Sequence, residues 1–457
     1  MTAPHAPAAS TATADRVLRR VVVDFTPLLP GGANGGAKPL CISLMRLLAE
    51  CAPEVQFILL TSAQGHGELA DLDTANVSRL CVVGENVGEN VGEKSGPTPP
   101  AVASSTALRR RVRRALARTL PPRALAWLDT AALAARRRPG STSLVRRLGA
   151  DLLFCPFTAP YYADRAVPTV AQIYDLQYAA YPRFFPPEER ASRHHNLVAA
   201  ARVARRLVCM TAFVRTTLLA HTSVPADRVV VIQPRLFGRL PTPTPPRVDA
   251  VLRRLGLADG DFLLYPANFW PHKNHAMLLT AFGMYRSTHP ASRLKLVCTG
   301  ERDAGYRRVE EAATRMHLAD DVVLTGYVSE HELAALYGAC RALIFPSLYE
   351  GFGLPLLEAM AHNRPVLASS ATSLPEVGGE AALYFDPRRP RDMVSAIERV
   401  TEHPGCADAL TAAGAARVAG LGGPYDMARD YLEVFRAAVQ PRPDAHPRSV
   451  AAPKQVG

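Results

Sequence analysis

No run of about 18 consecutive apolar residues occurs in this chain, which argues against a membrane-spanning helix. No two cysteines form a C-x-x-C pair. The eight stand apart at positions 41, 51, 81, 155, 209, 298, 340 and 406, which suits neither a zinc site nor a disulfide framework. They read as reduced, mostly buried thiols of a cytoplasmic protein. The fingerprints G-x-G-x-x-G and Walker A are missing, and His331-Glu332 is followed by Ala335 where a zinc motif would need its second histidine. The opening residues lack a basic start followed by an apolar core, so no secretory signal is expected and residues 1–14 read as a loose tail.

What is present is 457 residues, 48% of them hydrophobic, enough for two or three domains with cores of their own. The formal net charge is +12. A basic surface can attract anionic lipid, polysaccharide or nucleic acid and names none of them. Short apolar, β-branched runs alternate with helical spacing along both halves. Strands are expected at Arg20–Phe25, Val55–Thr61, Val77–Val83, Asp151–Cys155, Thr169–Tyr174, Arg206–Met210 and Arg228–Ile232 in the first half. In the second they are expected at Phe262–Tyr265, Leu294–Gly300, Val322–Val328, Ala342–Phe345, Val366–Ser369 and Ala382–Phe385. Such alternation demands parallel sheets covered by helices on both faces, with ligands at the carboxyl ends of the strands.

The expected division is a first domain at 15–235, a linker at 236–247 inside a proline-rich run, and a second domain at 248–424. A helix at 425–440 and a tail at 441–457 follow. Within the first domain, 84–140 reads as an insertion. It starts with a duplicated Gly-Glu-Asn-Val that has almost nothing to bury, and continues into a stretch rich in arginine over 108–138. Two readings of that stretch stand side by side: a basic helical segment lying on an anionic membrane, and a solvated helix hairpin broken at Pro121 and Pro122. It lacks the interleaved aromatics of a nucleic-acid surface, and no nucleic-acid partner is expected.

The stretch richest in chemistry is Leu343 to Ala359, in which Glu350 and Glu358 flank Gly351, Phe352, Gly353 and Leu354. It reads as strand, glycine-rich loop and helix start, with Pro355 placed where a helix tolerates it. The glycines allow close backbone approach, and the free N–H groups of the helix favour an anion such as a diphosphate. Together with Leu374-Pro-Glu-Val-Gly-Gly and the turn Pro271-His-Lys-Asn, this text resembles the donor-sugar motif of retaining family 4 glycosyltransferases (glycosyl transferases group 1), in a mannosyltransferase-like branch. The resemblance runs over about 18–438, strongly in the second half and loosely in the first.

That resemblance implies an α/β fold of two doubly wound Rossmann-like domains facing across a cleft, the glycosyltransferase B type. It implies transfer of a hexose from a nucleoside diphosphate sugar to a lipid-linked or polysaccharide acceptor, with no cofactor and no metal required. Guanosine diphosphate mannose is the favoured donor and a uridine diphosphate sugar the second. Lys273 would meet the diphosphate, Glu350 the sugar hydroxyls and Glu358 the ribose hydroxyls. Gly35 and Gly36 would face the cleft, while Asn268, His272 and Tyr327 would line the donor side. Tyr174 stands where the family commonly has histidine, and His272 where it often has arginine. Asp175, next to Tyr174, either faces the acceptor or caps the following turn. These departures admit a reading from another class, a catalytically lapsed nucleotide-sugar or glycan binding module. A cytoplasmic protein, peripheral on the inner face of the plasma membrane, is the expected setting.

Overall fold

The β-branched runs pair edge to edge into two separate sheets. The computed structural model describes residues 16–30, 34–84 and 143–441. The expected tail at 1–14, the insertion 84–140 beyond its first residue, with its arginine-rich stretch 108–138, and the expected tail at 441–457 beyond its first residue lie outside the described residues. The first sheet holds β1 (Arg20–Asp24), β2 (Gln56–Ser62), β3 (Val77–Val83), β4 (Leu152–Cys155), β5 (Thr169–Ile173), β6 (Arg206–Cys209) and β7 (Val229–Val231). Its order is β3-β2-β1-β4-β5-β6-β7, with every pairing parallel. The second holds β8 (Phe262–Pro266), β9 (Lys295–Thr299), β10 (Val322–Gly326), β11 (Ala342–Phe345), β12 (Val366–Ser369) and β13 (Leu383–Phe385). These run β10-β9-β8-β11-β12-β13, again all parallel.

The central strands are buried on both faces, as Val21 to Val23 and Ala342 to Phe345 show, which explains their unbroken apolar text. In each sheet the chain walks outward from a first strand, then crosses back to the other side of it. The switch points therefore lie between β1 and β4 and between β8 and β11, where open α/β sheets take their ligands.

The helices that matter for the site are α1 (Ala37–Cys51), α2 (Ala212–His221), α3 (Pro245–Leu255), α4 (His275–Thr288), α5 (Glu330–Ala339), α6 (Leu354–Ala361), α7 (Leu374–Gly378) and α8 (Pro424–Val439). Among them, α1 and α3 take proline into their first turns. Helix α3 begins at Pro245, inside the expected linker, because proline in a first turn forfeits only N–H groups that would be unpaired anyway. Helix α1 likewise takes Pro39 into its first turn, which starts at Ala37.

Helix α8 leaves the second domain and packs on the first, against α1, β4 and β5. Phe435 is fully buried with its ring centroid 5.0 Å from that of Phe154. The Tyr431 hydroxyl donates to Gln172 Oε1 at 2.5 Å. The chain between the domains is fastened to the same helix by the Arg235–Asp430 ion pair at 2.8 Å.

Candidate active site

The turn after β8 and the loop after β11 are stitched to each other. Asn274 adopts a left-handed backbone, φ 64°, which lets its side-chain amide donate to the carbonyls of Pro346 at 3.1 Å and Pro387 at 2.8 Å. The Leu348 N–H donates to the His272 carbonyl at 2.8 Å, and the Tyr265 hydroxyl donates to the Lys273 carbonyl at 2.7 Å. From the other side, Thr372 Oγ1 accepts from the Glu350 N–H at 3.0 Å, and the Ser373 hydroxyl donates to the carbonyls of Glu350 and Phe352.

Between these anchors Lys273 Nζ donates to Glu350 Oε1 at 2.6 Å. Each side chain is 14% exposed, so the pair is largely withdrawn from water yet open on one side. The ammonium also lies 5.4 Å from the centre of the Phe345 ring.

Asp175 completes this neighbourhood from the first domain. Its Oδ1 accepts from the Gln177 N–H at 3.0 Å, so it does cap the next turn. Burial holds its carboxyl above the usual carboxylate range, and that hydrogen bond opposes the shift. Glu350 pushes in the same direction as burial and Lys273 in the other, so the three side chains share one electrostatic field across the cleft. The capping reading of Asp175 is met, and the charges of Glu350 and Lys273 act on the same carboxyl.

The domains meet where the motif glycine stands. A Cβ added to Gly351 would collide with the Tyr174 carbonyl oxygen and sit 3.2 Å from Asp175 Cβ, so glycine there is a steric requirement of domain contact. Thr211 caps α2 by accepting from the Val214 N–H at 3.1 Å, and its hydroxyl also donates to the Gly351 carbonyl at 3.0 Å. Glu376 of α7 reaches across to accept from the N–H groups of Ala212 at 2.7 Å and Phe213 at 3.0 Å. A carboxylate of the second domain thus sits at the positive end of a first-domain helix. Gly35, at φ 55°, lets Trp270 approach so closely that a Cβ would lie 2.8 Å from its indole. Beside it, Gly36 is open, with nothing within 4 Å of such a Cβ.

Several expected site residues serve as supports. The Tyr174 hydroxyl meets Cys41 Sγ at 3.0 Å and its ring packs on the core, while burial keeps the phenol far above its usual range and uncharged. His272 is buried against Trp270, and burial, with Lys273 next in strength, lowers its pKa to about 2. It is therefore a neutral packing group. His275 is held neutral for the same reasons, at about 3. Asn268 Oδ1 accepts from the Glu301 N–H at 3.0 Å and shapes the turn after β9. Phe352 is buried and Leu354 packs against the core, whereas Tyr327 is 76% exposed at the rim after β10.

Glu358 lies in α6 and is almost wholly covered. Arg239 Nε donates to its Oε1 at 2.9 Å, with Nη2 2.8 Å from the same oxygen, and the Tyr337 hydroxyl donates to Oε2 at 3.0 Å. Neither Arg239 nor Tyr337 carried a signal in the sequence, and Glu376 was visible only as part of a motif without a role. Among the described residues no group of three or more His, Cys, Asp or Glu side chains is placed to hold a metal ion, and no helix is long and apolar enough to cross a membrane.

Comparison with known proteins agrees with this geometry. Residues 260–403 match the family model described as glycosyl transferases group 1. O-antigen chain mannosyltransferase B of Escherichia coli is 31% identical over 235 residues, 50% of this chain and 60% of that protein. O-antigen chain mannosyltransferase RfbU of Salmonella typhimurium is 34% identical over 30% of this chain and 37% of its own length. The chain thus spans less than two thirds of the length of these curated relatives. Among solved structures, HepE of Anabaena in complex with UDP and glucose superposes with a TM-score of 0.64 at 15% identity, covering 92% of this chain and all of that one. WaaG, a glycosyltransferase involved in lipopolysaccharide biosynthesis, gives 0.60 at 13% identity over 91% of this chain and 99% of its own. The fold is therefore the two-domain glycosyltransferase B arrangement, and residues 260–403 of the second domain match the glycosyl transferases group 1 family model.

Proposed function

We propose that this chain is a retaining hexosyltransferase that moves a hexose, mannose in the favoured reading, from a nucleoside diphosphate sugar to a lipid-linked or polysaccharide acceptor in cell-surface glycan synthesis. The observation that carries the reading is the Lys273–Glu350 pair, seated at the switch point between β8 and β11 and opposed across the cleft by Asp175. Lys273 supplies a positive charge where the departing diphosphate gathers negative charge, in a site that excludes most water. Its bond to Glu350 holds the ammonium in place before substrate arrives. Glu350 keeps a second carboxylate oxygen for sugar hydroxyls.

In the transfer the bond from the anomeric carbon to the phosphate oxygen breaks, and a bond from that carbon to the acceptor oxygen forms. The acceptor proton passes to the departing phosphate, so no side chain need serve as base. Mannose is supported by the names of the O-antigen relatives, and a uridine diphosphate donor by the UDP and glucose held in the HepE complex. Incubation with guanosine diphosphate mannose, uridine diphosphate glucose and further donors, read as nucleoside diphosphate release with a glycan acceptor present, tests this. Release from the mannose donor is the expected result. Release from a uridine donor alone would reassign the sugar, and binding of every donor without turnover would overturn the enzymatic reading.

A further inference from the structure

Beyond Asp175 the first-domain chain passes through the short turn Pro182–Phe184 into the helix Pro187–Val203, and carries Tyr181, Phe184 and Phe185 on the way. The two consecutive phenylalanines have different surroundings. Phe185 packs against a core cluster of the first domain, with the Arg193 guanidinium 4.8 Å from its ring centre. Phe184 and Tyr181 are part of neither hydrophobic core. They stack on each other instead, with centroids 5.1 Å apart and planes 6° from parallel, and both remain half-buried.

The second domain fixes where this pair stands. Arg388, in the turn after β13, donates from Nη2 to the Tyr181 hydroxyl at 2.6 Å. The preceding Pro387 carbonyl is one of the two that Asn274 ties to the Lys273 turn. The Tyr181 ring meets that of Tyr349 edge-on, with centroids 6.1 Å apart, and its hydroxyl lies 3.5 Å from the Leu348 carbonyl oxygen. Tyr349 directly precedes Glu350. The stacked pair thus stands against the residue next to the carboxylate of the charge pair, and it comes from the opposite domain.

We propose that Tyr181 and Phe184 form a platform for the acceptor, taking the face of a pyranose ring near the accepting hydroxyl, with Arg388 as the positioning residue that sets the Tyr181 ring. This rests on the hexosyltransferase reading above. A pyranose has an apolar face of C–H groups and a rim of hydroxyls. The face of an aromatic ring is negative and a C–H group weakly positive, so the two attract while water leaves both. The hydroxyl rim is met by Tyr181, whose hydroxyl accepts from Arg388 and keeps a proton to donate, and by the further N–H groups of that guanidinium. A phosphate finds no such match, because the ring faces repel its charge.

The test uses the full chain with mannotriose, maltotriose and cellotriose. Binding is read by saturation-transfer difference NMR, and acceptor and donor KM are measured with the donor that turns over. At least one trisaccharide should bind. Phe184→Leu, which keeps an apolar group and removes the ring, should raise acceptor KM about three- to tenfold with donor KM unchanged, whereas Phe184→Trp should keep or lower it. Tyr181→Phe, which keeps the stack and drops the hydroxyl, should raise acceptor KM about threefold. Melting temperatures are recorded for each variant, and Phe184→Trp separates stacking from folding if Phe184→Leu is unstable. An unchanged acceptor KM in Phe184→Leu, or equal losses in Phe184→Leu and Phe184→Trp, would overturn the inference. So would failure of every trisaccharide to bind, or a shift confined to acceptors carrying a lipid phosphate. If the unsubstituted chain turns over no donor with any acceptor, the hexosyltransferase reading itself fails, an outcome distinct from all of these.

Discussion

The two sheets have the same topology and opposite electrostatics at their switch points. In the second, Lys273 from the turn after β8 and Glu350 from the loop after β11 neutralise each other at 2.6 Å. In the first, Asp24 at the end of β1 is buried and unmatched. Its Oδ1 accepts from the Thr26 N–H at 3.0 Å and from the Thr26 hydroxyl at 2.6 Å, and Oδ2 meets no hydrogen-bond partner among the described residues. Burial raises its pKa to about 7, with only Thr26 opposing. The strand order that the first six strands of each sheet share thus yields a prearranged charge pair in one domain and an unmatched acid in the other. The comparison favours leaving-group chemistry in the second domain and leaves the first to shape the opposite wall of the cleft.

Removing each charge should break that comparison in opposite ways. Lys273→Ala should lower turnover about 100- to 1,000-fold, the loss typical of one electrostatic contact to a transition state, with a smaller change in donor KM. Steady-state kinetics showing full turnover would remove Lys273 from the mechanism.

Asp24→Asn should do the reverse, stabilising the protein while sparing turnover. A folded-state pKa raised to about 7 means that the wild-type carboxyl supports the fold below the unfolded pKa and loses that support as pH rises toward 7. The gain in the variant should therefore be negligible at pH 4 and reach on the order of 1–4 kcal/mol at pH 8, visible as a higher melting temperature. A gain independent of pH would contradict the burial argument.

Gly351→Ala tests whether the walls must touch. The added methyl strikes the Tyr174 carbonyl, so the domains should separate slightly and the fold lose about 1–3 kcal/mol. Small-angle scattering should show a larger radius of gyration, and an unchanged radius with full activity would mean that the contact is dispensable. The smallest effect is expected from deleting 101–140, which we propose shifts the protein from the membrane fraction to the soluble one at low salt without altering turnover on a soluble acceptor. Unchanged partitioning would sink the membrane role of the arginine-rich stretch.

The legible parts of the site were those written in one place. Both residues of the Lys273–Glu350 pair sit in short loops after apolar strands, and the text around each announced it. A capping box such as Ser329–Glu332, which the structure shows intact, has its partners three residues apart and so lies within a local pattern. Parallel sheets covered by helices followed from the alternation, and their arrangement as two doubly wound domains from the resemblance. What stayed hidden depends on residues distant in sequence. The Tyr174 hydroxyl is engaged by Cys41 from α1, Arg239 reaches Glu358 from the interdomain segment, and Glu376 caps α2 across the cleft. No local pattern encodes such pairs, because they exist only once distant parts of the chain have folded against each other. The charge of His272 was open for a related reason: its neighbours in sequence do not fix it, whereas burial in the folded chain keeps it neutral.

The return of α8 to the first domain has a consequence for biosynthesis. Phe154, in β4, finds Phe435 only after the whole second domain has been translated, and Gln172 waits as long for Tyr431. As the chain leaves the ribosome, the part of the first domain beneath α8 therefore waits for α8, the last helix among the described residues, to cover it.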